Sequence, residues 1–144
     1  MSMRAKALGA ICAACVAASG YVYSVRSTDN LMETRPEMQQ LSHCALQRSP
    51  VDYVIVDGGR TAAEHKKNVE NGKSWIKRSR HQDGAAIDVA ALVNGKITYD
   101  PQPYYVIAGA YMICSDQLKI PIVWGGEWRV QDLMHIELDR RFYP

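Results

Sequence analysis

Two imidazoles and one carboxylate, from His81, His135 and Asp88, stand in two short segments of a 144-residue chain. The first segment reads Ser79-Arg80-His81-Gln82-Asp83-Gly84-Ala85-Ala86-Ile87-Asp88, and the second Asp132-Leu133-Met134-His135-Ile136-Glu137-Leu138. Three N/O ligands of this kind commonly hold a catalytic zinc and leave a fourth position for water. Asp132 lies outside that set, three residues before His135, free to act as a base. A lone histidine is more often a hydrogen-bonded core or surface residue than a ligand. That plain reading explains all four residues together poorly.

The elements that must position them can be read from the same segments. His81 and Asp88 are seven residues apart, too far to be neighbours on one strand. Gly84 lies between them, and glycine adopts backbone conformations closed to other residues, so the chain can turn sharply after His81. Residues 85–93 then read as a buried strand in which Asp88 is the only charge. A lone carboxylate there costs several kcal/mol unless it is paired or metal-bound. Residues 135–138 read as a short strand, with His135 and Glu137 on one face and Ile136 and Leu138 on the other. Asp132 precedes that strand in a loop.

Ser79-x-His81-x-x-Gly84-x-Ala86-x-Asp88 resembles the signature of the peptidase family M15 zinc enzymes, which share a fold with the D-alanyl-D-alanine carboxypeptidases. Asp132-x-x-His135 resembles the second signature, although the D,D-dipeptidase and carboxypeptidase branches usually carry glutamate as the base. Trp124-Gly125-Gly126-Glu127-Trp128 is similar to the W-G-G-D-W stretch of the phage L-alanyl-D-glutamate endopeptidases, with Glu127 in place of aspartate. The resemblance spans residues 51–138. It implies an α+β zinc peptidase fold and a Zn2+ ion on His81, Asp88 and His135. Asp132 would be the catalytic base, and Ser79, Trp124 and Trp128 would line the substrate cleft. It also implies that Arg60 meets a substrate carboxylate, for which the planar guanidinium fork is suited; a surface arginine at a helix start is the other reading. The expected activity is cleavage of an amide in the peptidoglycan stem peptide, most closely the L-alanyl-D-glutamate bond, by an endolysin. Two alternatives stay open. One is a bacterial D,D-carboxypeptidase of wall maintenance. The other is a non-catalytic zinc-stabilised wall-binding module, against which the presence of Asp132 argues.

The formal charge is +2, but Arg4, Lys6 and Arg26 are the only charges in the first 26 residues. Without them 14 basic residues face 15 acidic ones, a net of −1, so no nucleic-acid surface is implied. Lys73, Lys77, Arg78 and Arg80 form a local positive run beside the proposed site. It reads either as a solvated loop or as an attractor of an anionic polymer. Residues 7–25 are uncharged, and twelve of these 19 are Ala, Gly, Ser or Cys. The length suffices to span a bilayer, which takes about 20 residues, yet strongly apolar side chains are few. A cleavable signal peptide, a retained anchor and a signal-arrest-release segment all fit. Each sends the domain to the periplasm or cell wall and brings residues 1–26 into contact with the inner membrane. Cys44 and Cys114 form either a disulfide or two free buried thiols.

Residues 27–35 are polar and read as a linker, so the expected organisation is a targeting segment over 1–26, a linker and first helix start over 27–40, and a zinc peptidase domain over 41–144, acting as a monomer. Pro36 opens a helix, and residues 51–57 are a β-branched strand ending at Gly58-Gly59. Thr61 and Glu64 form a capping box for a second helix that ends near Asn71-Gly72. Asn94-Gly95 signals a hairpin. Residues 103–117 form the main buried helix and residues 120–124 a further strand. Helices packed on a small, mostly antiparallel sheet follow from this order.

Overall fold

The computed structural model describes residues 18–59, 67, 70–72 and 79–144. Within them the order is α1 (Val25–Met32), α2 (Pro36–Arg48), β1 (Asp52–Asp57), β2 (Ala86–Val93), β3 (Lys96–Ile97), α3 (Pro101–Leu118), β4 (Ile122–Trp124), a 3-10 turn (Gly125–Glu127) and β5 (His135–Leu138). The α+β architecture is the expected one. The strands form one antiparallel sheet ordered β1-β2-β5-β4, with β3 paired to β2 as a hairpin. Asn94 and Gly95 at the hairpin tip have φ of 52° and 73°, the left-handed pair that a two-residue turn between twisted strands requires. Most of the helix expected after Thr61 lies outside the described residues. At its end Lys67 and Glu70 are helical, and Gly72 has φ +68°.

Alternation along the strands sorts the sheet into two faces. Ile87, Val89 and Ala91 of β2 and Ile136 and Leu138 of β5 join the core with Leu41, Ile107 and Tyr111 of the helices. Asp88, His135 and Glu137 therefore point to the other side. A disulfide between Cys44 and Cys114, 70 residues apart, ties α2 to α3. Of the two readings open for these cysteines, the bonded one is observed.

Residues 27–35 are not a linker. They fall in α1 and the turn after it, and the helix packs along the free edge of β1. Ser24 caps α1 by accepting the Ser27 N–H. Ser27 Oγ accepts the Ile55 N–H at 3.1 Å, and Asn30 Nδ2 donates to the Ile55 carbonyl at 2.9 Å. An edge strand presents unpaired backbone groups, and α1 satisfies one residue's worth of them through polar side chains. Its inward face thus carries Ser27 and Asn30 beside a single core residue, Leu31, which is why an apolar periodicity does not betray it. Residues upstream also dock. The Ser19 N–H donates to the Gln47 carbonyl at 2.8 Å, Ser19 Oγ to the Leu46 carbonyl at 2.6 Å, and Tyr23 Oη to the Ser42 carbonyl at 2.8 Å.

Candidate metal centre

Each proposed ligand is delivered by a different local device. His81 sits on a single helical turn. The Gly84 N–H donates to the His81 carbonyl at 3.1 Å and the Ala85 N–H to the Arg80 carbonyl at 3.0 Å. That nested pair closes a helical turn around a left-handed residue, here Gly84 at φ +63°. A Cβ on Gly84 would also press on the backbone of residues 33–35 at 3.2–3.3 Å. Ser79 Oγ accepts the His81 N–H at 3.2 Å. Ser79 is itself buried, so it shapes the turn rather than standing open in a cleft. Asp88 and His135 are direct cross-strand partners on β2 and β5, a pairing that sets side chains of one face against each other.

The three side chains converge. One ligand atom from each of His81, Asp88 and His135 lies within 4.8 Å of the others. Asp88 Oδ1 is 3.5 Å from His81 Nε2 and 3.2 Å from His135 Nδ1. The other nitrogen of His81 faces the Gly58 carbonyl at 2.8 Å. A ring that donates Nδ1–H there leaves the Nε2 lone pair free on the Asp88 side. Two imidazoles and a carboxylate, mostly buried and aimed at one point, match the donor set of a divalent metal of the zinc class.

The electrostatics fit the same reading. Burial raises the Asp88 carboxyl, but hydrogen bonds from His135 and His81 outweigh it and hold the group well below the usual carboxylate range. Burial opposes charge on His135. Its hydrogen bonds to Asp88 and Glu137 prevail and push the imidazole up to about 9. Glu137 is lowered despite its burial, by His135 and Arg140.

Asp132 is exposed at the end of a short loop between β4 and β5. The Asp132 N–H donates to the Gly125 carbonyl at 2.9 Å, and Asp132 Oδ1 accepts the Met134 N–H at 3.3 Å. Gly125 must be glycine, because a Cβ there would lie 2.4 Å from the Asp132 carbonyl oxygen. A Cβ on Gly126 would lie 2.3–2.5 Å from the Trp124 ring. Trp124, expected in the cleft wall, is only 6% exposed. Its Nε1–H donates to the Leu133 carbonyl at 2.9 Å, and its ring packs edge-on to Tyr105. It braces the Asp132 loop from inside. Trp128 is exposed, and its ring centroid is 5.0 Å from that of His135. Trp128 and Asp132 line one cavity of about 600 Å³ together with Tyr99, Val130 and Leu133.

Arg60 lies outside the described residues, as do Lys73, Lys77 and Arg78. Arg80 does not belong to a solvent-facing run. It is buried, and Nη2 donates to the Leu138 and Tyr143 carbonyls at 3.0 and 2.6 Å, tying the His81 turn to the C-terminal segment. Gly58 and Trp128 are the neighbours of the ligands that single-residue reasoning places least well. Gly58 contributes only a carbonyl, and the proximity of Trp128 to His135 depends on the loop path.

Three comparisons bear on this geometry. A family described as phage L-alanyl-D-glutamate peptidase matches residues 19–144. The L-alanyl-D-glutamate peptidase of Escherichia phage T5 is 33% identical over 127 residues, covering 85% of this chain and 93% of that one. The crystal structure of the Serratia marcescens L-Ala D-Glu endopeptidase ChiX superposes with a TM-score of 0.79 at 33% identity, over 85% of this chain and 94% of that one.

Proposed function

The chain belongs to the phage L-alanyl-D-glutamate peptidase family, and we propose from that membership that it is a zinc-dependent peptidoglycan endopeptidase. As an endolysin it would hydrolyse the amide between L-alanine and D-glutamate in the stem peptide. The observation that carries this reading is the convergence of His81, Asp88 and His135 within 4.8 Å. Trp128 connects the His135 ring to the cavity that Asp132 lines.

His81, Asp88 and His135 would hold a zinc ion, which would supply an electrophile for the scissile carbonyl and acidify a water toward neutral pH. Asp132 takes the proton of the attacking water on its carboxylate and delivers it to the departing amine nitrogen. Its loop hydrogen bonds hold the carboxylate in place while leaving it open to the cavity. Trp128 offers an aromatic wall next to His135. Ser79 acts through the turn it closes under His81, and Arg60 is assigned to the D-glutamyl carboxylate for its planar pair of donors.

The substrate places the work outside the cytoplasm, in the periplasm or wall. Residues 1–26 are assigned to export and to inner-membrane contact, and the protein to host-cell lysis as a monomer. No helix among the described residues is long and apolar enough to cross a membrane.

Chelation should stop the release of peptide from purified peptidoglycan. Added zinc should restore it for the wild-type chain and not for His81→Ala. Undiminished release by zinc-free protein would remove the reading.

A further inference from the structure

We infer that Glu137 is a positioning residue that turns the His135 ring so that Nδ1, not Nε2, faces the metal, with Arg140 holding the Glu137 carboxylate. Glu137 lies two residues after His135 on the same face of β5, opposite Ala86 of β2, whose small side chain leaves the carboxylate room. It is only 5% exposed. A carboxylate so buried needs partners for both oxygens, and it has them. Glu137 Oε2 is 2.9 Å from His135 Nε2, and Oε1 accepts from Arg140 Nε at 3.2 Å.

The two histidines thereby solve one problem with opposite nitrogens. The nitrogens that approach Asp88 Oδ1 are Nε2 of His81 and Nδ1 of His135. Each remaining nitrogen is tied to an acceptor, the Gly58 carbonyl for His81 and the Glu137 carboxylate for His135. A carboxylate accepting the far N–H fixes the tautomer and ring orientation of a ligating imidazole and makes it a better donor to metal. Behind His135 the carboxylate stands at hydrogen-bond distance, whereas the nearest one behind His81, Asp57 Oδ1, is 4.0 Å from Nδ1 and the Gly58 carbonyl takes that place.

The inference rests on the metal reading above, and its test needs no substrate. Long-range ¹H–¹⁵N spectra of zinc-loaded protein labelled at histidine should show His135 protonated at Nε2 and metal-bound at Nδ1. Zinc affinity, read by competition with a chelator, should fall roughly ten- to a hundredfold in Glu137→Ala. Glu137→Gln should recover most of it, because the amide oxygen still accepts Nε2–H, and this variant carries the comparison if Glu137→Ala does not fold. Zinc on Nε2 of His135, or unchanged affinity in folded Glu137→Ala, would overturn the inference while leaving the peptidase reading intact. Wild-type protein that takes up no zinc would overturn both.

Discussion

Asp88 has an apolar strand on either side of it in sequence and two imidazoles against it in space, and its charge is bearable only because of them. Its stabilisation of the metal-free fold is present above pH about 4, the ordinary aspartate value, and is lost as the pH falls below that, since its carboxyl is lowered. His135 has the opposite sign. Raised from 6.5 to about 9, it contributes fully below pH 6.5 and progressively less as the pH rises through 9. Zinc needs the neutral imidazole, so proton and metal compete over that same window. The rise in Tm on adding zinc should therefore grow between pH 6.5 and 9, while the metal-free Tm loses the His135 contribution. A zinc-induced shift independent of pH would contradict the assignment. Asp132→Asn, in contrast, should keep full zinc and an unchanged fold, and lose turnover by roughly 10²-fold or more. The convergence of His81, Asp88 and His135 was legible in the sequence because Asp88 is a charge where its strand needs an apolar residue and the histidines stand where a metal signature needs them. Arg80 was not. Its neighbours in sequence are basic, and nothing local reveals that its guanidinium reaches the carbonyls of Leu138 and Tyr143.

At the level of elements, the strands, α2, α3 and the hairpin followed from β-branched runs, an N1 proline and Asn-Gly. Helix α1 did not, because it serves the edge of β1 with Ser27 and Asn30 instead of an apolar stripe. It also reaches the candidate metal site. The backbone of Asn30 is so close to Gly58 that a Cβ there would lie 1.8 Å from its carbonyl oxygen, and the Gly58 carbonyl orients His81. Gly58→Ala should consequently weaken zinc binding as well as lower Tm, two readouts that a purely surface glycine would not couple. The Asp132 loop offers the complementary experiment. Gly125→Ala forces the Asp132 backbone away from a 2.4 Å contact, and displacements near 1 Å can cost roughly 10²-fold in rate. Activity should drop on that scale with zinc affinity retained. Equal loss of both would show that the loop holds the metal, not the base.

For the whole molecule, the segment before α1 has two claims on it. Residues 7–25 make an uncharged stretch of 19, yet Ser19 and Tyr23 are bonded to α2. Docking leaves only twelve uncharged residues before Ser19, short of the roughly 20 that span a bilayer. The docked fold and a spanning segment are therefore alternatives for the same residues. Replacing Ala10, Ala14 and Ala18 with leucine adds apolar area, worth about 25 cal/mol per Å² in lipid. That should hold the chain in the membrane fraction and delay lysis of an expressing bacterium. Wild-type protein found wholly membrane-bound during lysis would exclude release. The disulfide across α2 and α3 suits an oxidising compartment, and its removal should cost roughly 2–4 kcal/mol. Zinc-loaded protein should be incubated with purified peptidoglycan and the fragments weighed by mass spectrometry. Cleavage of the L-alanyl-D-glutamate bond yields glycan fragments ending in L-alanine and peptides with a newly freed D-glutamate amine, and Asp132→Asn should yield neither. Release of terminal D-alanine alone, or no cleavage by a zinc-loaded folded chain, would contradict it.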